Sequence, residues 1–248
     1  MEFNKIYKGD CLEIMKQIKD KSVDMILCDL PYGKFKNHLD WDNIINLKLL
    51  WIEYKRIIKD NGAIVLTAVN PFGAFLIKEG IDIFRYSLVW EKDKGTDFGN
   101  SNIKPINRHE DIHIFYKNKP IYNPQKSKSS SYYKKNYQNN DKSTFTSFQS
   151  SNEGEYNNAG DRFPTSIIYI ARESCKRQKN LHPTQKPIEL FEYLIKTYTN
   201  EGDLVLDNCI GSGTTAVACI QSNRNFIGIE KEGNYCEIAN KRIKEAQA

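Results

Sequence analysis

Apolar positions along this chain change period several times, and each change marks an element. Val23-Asp24-Met25-Ile26-Leu27-Cys28-Asp29 is a short apolar run closed by Pro31 and Gly33. That is the form of a buried parallel strand with its polar groups at the C-terminal end. Ahead of it, apolar residues at 11, 12, 14, 15 and 18 predict a helix over Cys11 to Lys19. Leu47 to Lys59 predicts an amphipathic helix, with Gly62 placed to stop it. Ala63 to Ala68 reads as a strand, Phe72 to Lys78 as a helix, and Tyr86 to Trp90 and Asp111 to Tyr116 as further strands.

The pattern then breaks. From Asn118 to about Phe163 the chain turns to Ser, Asn, Lys and Tyr, too long a stretch for an ordinary connection. Regular structure resumes with a strand over Ser166 to Ile170 and a helix over Pro187 to Thr199. Leu204 to Asp207 is a strand, Thr214 to Gln221 a helix, Asn225 to Glu230 a strand and Asn234 to Lys244 the closing helix. Alternation of this kind predicts an open, mostly parallel α/β sheet with helices on both faces.

Composition narrows the partners. The 248 residues suffice for one α/β core, and 40% apolar with 12% aromatic residues is a globular composition. Net charge is only +5, but Lys117 to Lys142 holds seven lysines against the single acid Asp141. Such a patch suits a polyanion, and equally a solvated lysine-rich loop. Cys11, Cys28, Cys175, Cys209, Cys219 and Cys236 form no CxxC pair, and His38, His109, His113 and His182 offer no ligand spacing. The cysteines read as buried thiols in a reducing compartment, with no metal site. No apolar stretch has the length of a membrane span and no signal-peptide core is present, so the expected location is cytoplasmic.

Two segments carry the chemistry. Gly211-Ser212-Gly213-Thr214-Thr215 follows a strand and opens a helix, with Glu230 nineteen residues after the first glycine. The glycines permit close backbone approach to a nucleotide-type ligand, and a carboxylate ending the next strand can take two ribose hydroxyls. The pattern by itself serves NAD(P) or S-adenosylmethionine. Asp207, repulsive to a pyrophosphate but suited to a methionyl ammonium, favours the second. The other segment is Asp29-Leu30-Pro31-Tyr32-Gly33. An aromatic amine is a poor nucleophile because its lone pair is delocalised into the ring. Asp29 and the carbonyl of Leu30 or Pro31 can each take an N–H bond, while Tyr32 offers a flat face and Gly33 room for a base. A plain strand-to-turn segment, with Asp29 a cap and Tyr32 packed inward, fits these residues equally well.

With both segments, and with His182-Pro183-Thr184-Gln185-Lys186-Pro187 between them, the chain resembles the bacterial and phage DNA amino-methyltransferases that make N6-methyladenine or N4-methylcytosine. It is similar to their β group, in which the catalytic half precedes the cofactor half. The resemblance implies a circularly permuted Rossmann-like methyltransferase sheet using S-adenosylmethionine. Residues 1–117 would be the catalytic half, 118–165 an inserted target-recognition region and 166–248 the cofactor half. In that family an Asp at the first motif position goes with adenine, so Asp29, Leu30, Pro31 and Tyr32 become the catalytic set for N6 transfer. N4-cytosine transfer or a non-catalytic DNA-binding subunit are the alternatives on the same scaffold. Leu30 departs from the usual proline there.

The remaining assignments carry over in the same way. Asp10 and Cys11 match the segment beside the cofactor's adenine. Asp207, Asn208, Gly211, Ser212, Gly213 and Thr214 match the loop around its methionyl group, Glu230 its ribose ligand, and Lys186 and Pro187 its methionine end. Asn208-Cys209 stands where the family often has Pro-Phe. Methyl passes directly to the amine in that family, which calls for a base flipped from double-stranded DNA. Lys126, Lys128, Lys134 and Lys135 are the expected phosphate contacts. A homodimer and a cognate restriction endonuclease are the further partners the resemblance allows.

Overall fold

The computed structural model describes residues 1–33, 44–128, 132–135, 155–158, 160–172 and 185–247, with 132–135 and 155–158 described as backbone. The chain opens with strand β1 (Lys5–Lys8), helix α1 (Cys11–Met15) and strand β2 (Val23–Asp29). Helix α2 (Leu47–Ile57) runs directly into β3 (Ile58–Ala68), and α3 (Phe72–Glu79) leads to β4 (Phe84–Thr96) and β5 (Asn107–Phe115). Four short strands follow: β6 (Ser127–Lys128), β7 (Tyr132–Lys135), β8 (Glu155–Asn158) and β9 (Asp161–Arg162). The last part comprises β10 (Ile167–Tyr169), α4 (Ile188–Tyr198), β11 (Leu204–Asp207), α5 (Thr214–Gln221), β12 (Asn225–Glu230) and α6 (Gly233–Gln247).

Eight strands form one sheet in the order β1-β12-β11-β2-β3-β5-β4-β10. The pairings are parallel except those of β5, which runs antiparallel to both β3 and β4. Strands from the two ends of the chain therefore meet at the centre: Val205 and Leu206 of β11 pair with Met25 and Ile26 of β2. From that seam the chain winds outward in both directions, through β12 on one side and β3 on the other. This is a topological switch point, where open α/β sheets place their ligands beyond the C-terminal strand ends.

Period-two alternation divides the core between the faces. Ile26 and Cys28 of β2, with Ile64 and Leu66 of β3, pack with Met15, Leu50, Tyr54 and Leu76 from α1, α2 and α3. Met25, Leu27, Ala63 and Val65 pack on the other side with Leu190, Leu194, Ala216 and Ile243 from α4, α5 and α6. Strands buried on both faces have no polar positions to spare, which is why β2 and β11 read as continuous apolar runs.

Several details differ from the sequence expectation. Helix α2 ends at Ile57, and Gly62 lies inside β3 instead of stopping the helix. A Cβ at Gly62 would stand 2.7 Å from the Asp24 carbonyl oxygen, so glycine is there to let β3 bulge against β2, between Val23↔Ile58 and Met25↔Ala63. Strands β4 and β5 extend well past their apolar centres, and β1 is a short edge strand with too little apolar signal to stand out. Residues 1–123 and 166–248 form one compact unit and residues 124–165 another. Asn118 to Asn123 goes with the larger one: the Asn123 side chain donates to the Lys196 and Thr199 carbonyls at the end of α4.

The smaller unit contains two antiparallel pairs, β6 with β9 and β7 with β8. Lys126 and Lys128 both face Asp161, and Lys126 also lies 4.8 Å from the centroid of Phe163. Among the described residues no helix is long and apolar enough to cross a membrane. The central seam is the main stability determinant. Leu206 is fully buried, and Leu206→Ala is expected to destabilise the fold by about 2–5 kcal/mol. Urea denaturation followed by circular dichroism checks this, with the midpoint falling at unchanged slope.

Candidate active site

Asp29 ends β2 and Asp207 ends β11, and because those strands are neighbours, both carboxylates open into one cavity of ≈ 380 Å³. Asp10, Cys11, Leu30, Pro31, Tyr32, Lys186, Asn208, Gly211, Ser212, Thr214 and Glu230 also line it. The fold thus gathers the two sequence segments and the residue ahead of α4 around one space. Pro187 and Gly213 stand outside that lining. Pro187 caps α4 with extended backbone. Gly213 has φ +86°, and a Cβ there would press to 2.8 Å from the Cβ of Ala239, so it serves the packing of α5 on α6.

The cofactor-side carboxylates are tied to backbone. Glu230 accepts from the Gly211 N–H at 2.8 Å through one oxygen and from the Glu232 N–H at 2.8 Å through the other. Burial raises its pKa, an effect partly offset by those backbone donors. Asp207 accepts from the Cys209 N–H at 3.0 Å and from the Thr215 hydroxyl. Burial pushes its carboxyl up to about 6. Asp10 caps α1, accepting from the Leu12 N–H at 2.9 Å. Asn208 accepts from the buried Tyr54 hydroxyl at 2.5 Å, so this side chain is fixed by the core as well as facing the cavity. Arg242 of α6 donates to the Ser212 carbonyl at 2.7 Å, and Ser212 donates to the Gln185 side chain at 3.1 Å.

At the other end, three donors among the described residues hold Asp29. Its Oδ1 accepts from the Tyr32 hydroxyl at 2.6 Å and the Thr67 hydroxyl at 2.5 Å, and its Oδ2 from Lys186 Nζ at 2.6 Å. Burial, then the Asp29 charge, pushes the Tyr32 phenol well up, so it stays a neutral donor. The Tyr32 ring lies 5.3 Å from that of Phe72, tilted by 37°, and Lys186 Nζ sits 5.6 Å from its centroid. The Leu30 side chain is buried in the core, which fixes the turn. Burial pulls the Lys186 ammonium down, but Asp29 and Glu110 outweigh it and leave its pKa raised.

Lys186, expected at the cofactor's methionine end, is bound to Asp29 in this structure. It lines the cavity, yet its ammonium is engaged by Asp29 and, at 3.3 Å, by Glu110, while its neighbour Gln185 reaches the glycine loop. Thr67 and Glu110 carry no role in the sequence expectation, and Gln185 enters it only as part of the His182–Pro187 segment. Thr67 stands near the end of a strand, and Glu110 belongs to Arg108-His109-Glu110, which resembles a family segment near the target pocket. His182, Pro183, Thr184 and Cys175 lie outside the described residues, as do the side chains of Lys134 and Lys135. Cys28 beneath the cavity is pushed up to about 12 by burial, which makes it a poor nucleophile.

The chain is similar to known proteins. A family model described as DNA methylase, covering the N6 and N4 enzymes, matches residues 23–241. The type II methyltransferase M.BglII of Bacillus subtilis is 33% identical over 95% of this chain and 68% of its own length. M.HinfI of Haemophilus influenzae is 28% identical over 98% of this chain and 68% of its own length. Among solved structures, the M1.HpyAVI–SAM complex superposes with a TM-score of 0.63 at 26% identity, covering 96% of this chain and 98% of that one. The cytosine-N4-specific PvuII DNA methyltransferase shares the fold, with a TM-score of 0.67 at 16% identity over 98% and 89% of the two chains. With a family match across most of its length and a relative this similar, the chain belongs to the N6/N4 DNA methylase family.

Proposed function

We propose that this DNA methyltransferase acts on the N6 amine of an adenine flipped out of a specific duplex sequence. The observation that carries the reading is Asp29: a carboxylate at the end of a central strand, fixed by Tyr32, Thr67 and Lys186, and facing the same cavity as the glycine loop.

S-adenosylmethionine is the methyl donor, and the chain's residues fit it. A cavity of ≈ 380 Å³ lies within the range of about 300–1,000 Å³ typical of small-molecule sites. Asp207 offers a buried acid to an ammonium group, Glu230 a second acid at the loop's outer side, and Asp10 a third beside Cys11. Neighbouring Gly211 and Ser212 admit close backbone approach. When bound, the cofactor supplies a methyl group already activated on a sulfonium, so the protein's task is alignment and electrostatics.

The residues around Asp29 perform that alignment. Among the described residues Oδ1 takes two hydroxyl donors and Oδ2 takes Lys186, which leaves Oδ2 an acceptor direction for an amine N–H. The Leu30 carbonyl is the second acceptor in this reading, its position set by the buried Leu30 side chain and by Pro31. Two N–H bonds hold the amine so that its lone pair faces the cofactor cavity. The Tyr32 ring stacks on the base, and Asp29 takes the proton the nitrogen sheds before passing it to water. Asp at the first motif position favours adenine over cytosine. Lys126 and Lys128 of the smaller unit, with Lys134 and Lys135, contact phosphates. Their bridges to Asp161 are solvent-exposed and weak enough to exchange for DNA. The type II names of the relatives support a role as the modification partner of a restriction endonuclease.

Nucleoside mass spectrometry of unmethylated DNA incubated with S-adenosylmethionine tests the reaction. N6-methyladenine is expected, falling at least about 100-fold in Asp29→Ala. N4-methylcytosine instead would overturn the base assignment. Cofactor affinity reports on Asp207: below about pH 6 the acid is protonated and loses its charge. Titration calorimetry should then show binding weakening by up to about tenfold per pH unit, whereas Asp207→Asn binds weakly with no such dependence. Replacing Lys126, Lys128, Lys134 and Lys135 by Gln is expected to lower the salt slope of DNA binding by about 3–4. An unchanged slope would remove these lysines from the DNA interface.

A further inference from the structure

Lys186 is the second member of a longer row of charges. Beyond it lies Glu110 of β5, with Oε2 3.3 Å from Lys186 Nζ. The other oxygen of Glu110 accepts from Lys92 Nζ of β4 at 2.5 Å, and that ammonium sits 5.1 Å from the centroid of the Trp90 ring. Four separate segments thus contribute an alternating series: Asp29, Lys186, Glu110, Lys92. Side-chain exposures are 20%, 6%, 13% and 5%, so the series runs inward from the cavity, not across the surface. Apolar residues at positions 92 and 110 would be the less expensive way to fill that space.

The geometry explains what the inner pair does for the outer one. A buried ammonium with Asp29 as its only countercharge is free to swing to another acceptor or to give up its proton. Glu110 supplies a second countercharge at 3.3 Å, and its other oxygen is bonded to Lys92. The groups facing the Lys186 ammonium are then Asp29, Glu110 and the neutral Tyr32, with Lys92 behind Glu110.

We propose that Glu110, seated by Lys92, is a positioning residue for methyl transfer: it holds the Lys186 ammonium against Asp29 Oδ2 and so keeps the remaining acceptor direction of that oxygen aimed at the target amine. The inference rests on the reading of Asp29 given above. Glu110 touches neither base nor cofactor in this account and acts through Lys186.

Single-turnover methylation of a DNA duplex, measured across pH beside cofactor titrations, tests it. Glu110→Gln is expected to slow transfer about tenfold while cofactor affinity changes less than about twofold, the signature of a lost transition-state alignment. Its rate should also begin to decline at a lower alkaline pH than the wild-type rate, because Lys186 with one countercharge gives up its proton more readily. Glu110→Asp, which keeps the charge, should return that decline to the wild-type pH. The double variant Glu110→Gln/Lys186→Gln should be no slower than Lys186→Gln alone, since both changes break one chain of contacts. Wild-type rate and pH profile in Glu110→Gln, or additive effects in the double variant, would overturn the inference. If Glu110→Gln does not fold, Lys92→Gln, which loosens Glu110 but keeps its charge, is read by transfer rate and cofactor affinity alone: slowed transfer at unchanged affinity is expected, and a wild-type rate would overturn the inference. Failure of the underlying reading looks different: Asp29→Ala would then methylate like the wild type.

Discussion

Everything at this site depends on the parallel pairing of β2 with β11. The two strands are nearly 180 residues apart in the chain, and their register sets how far Asp29 stands beyond Asp207 at the sheet's C-terminal edge. Both strands are buried on both faces, so a slip by one residue would carry their side chains to the wrong core. The apolar packing that stabilises the fold is therefore the same constraint that fixes the spacing between Asp29 and the glycine loop. No loop between them has to define that distance.

Around this seam the protein places charge where burial alone would forbid it. Asp207 and Glu230 are kept in place by backbone N–H donors and a hydroxyl. Asp29 is held instead by side chains from three other positions: Tyr32, Thr67 and Lys186. The difference suits the two tasks. Backbone-tied carboxylates shape a loop for a ligand that must bind and leave, whereas a carboxylate gripped by side chains can be aimed within hydrogen-bond tolerance at one atom. The buried Glu110–Lys92 pair extends that grip into the sheet.

Much of the arrangement is legible in the sequence because it rests on local rules. The runs Val23–Asp29 and Leu204–Asp207, bounded by turn residues, read as buried strands, and the glycine loop with Glu230 after it specifies a strand–loop–helix–strand unit. What cannot be read is long-range side-chain pairing. Lys186 lies 157 positions from Asp29, and no local pattern says that its ammonium turns to that carboxylate. Glu110 and Lys92 sit in polar strand extensions with weak apolar periodicity, so although Trp90-Glu91-Lys92 and Arg108-His109-Glu110 resemble family segments near the target pocket, neither their pairing nor their burial shows in the sequence. Gly62 misleads for a related reason: the same residue type ends helices and permits bulges, and only the partner strand decides between them.

The most direct test of the central claim is a crystal structure of the protein with unmethylated duplex DNA and sinefungin, a non-transferring analogue of the methyl donor. The account predicts a flipped adenine stacked on Tyr32, its N6 within hydrogen-bond distance of Asp29 Oδ2, with Lys186 still bound to that oxygen and the analogue between Asp207 and Glu230. A base amine that meets another acceptor, or a Lys186 displaced from Asp29 onto the cofactor analogue, would contradict it.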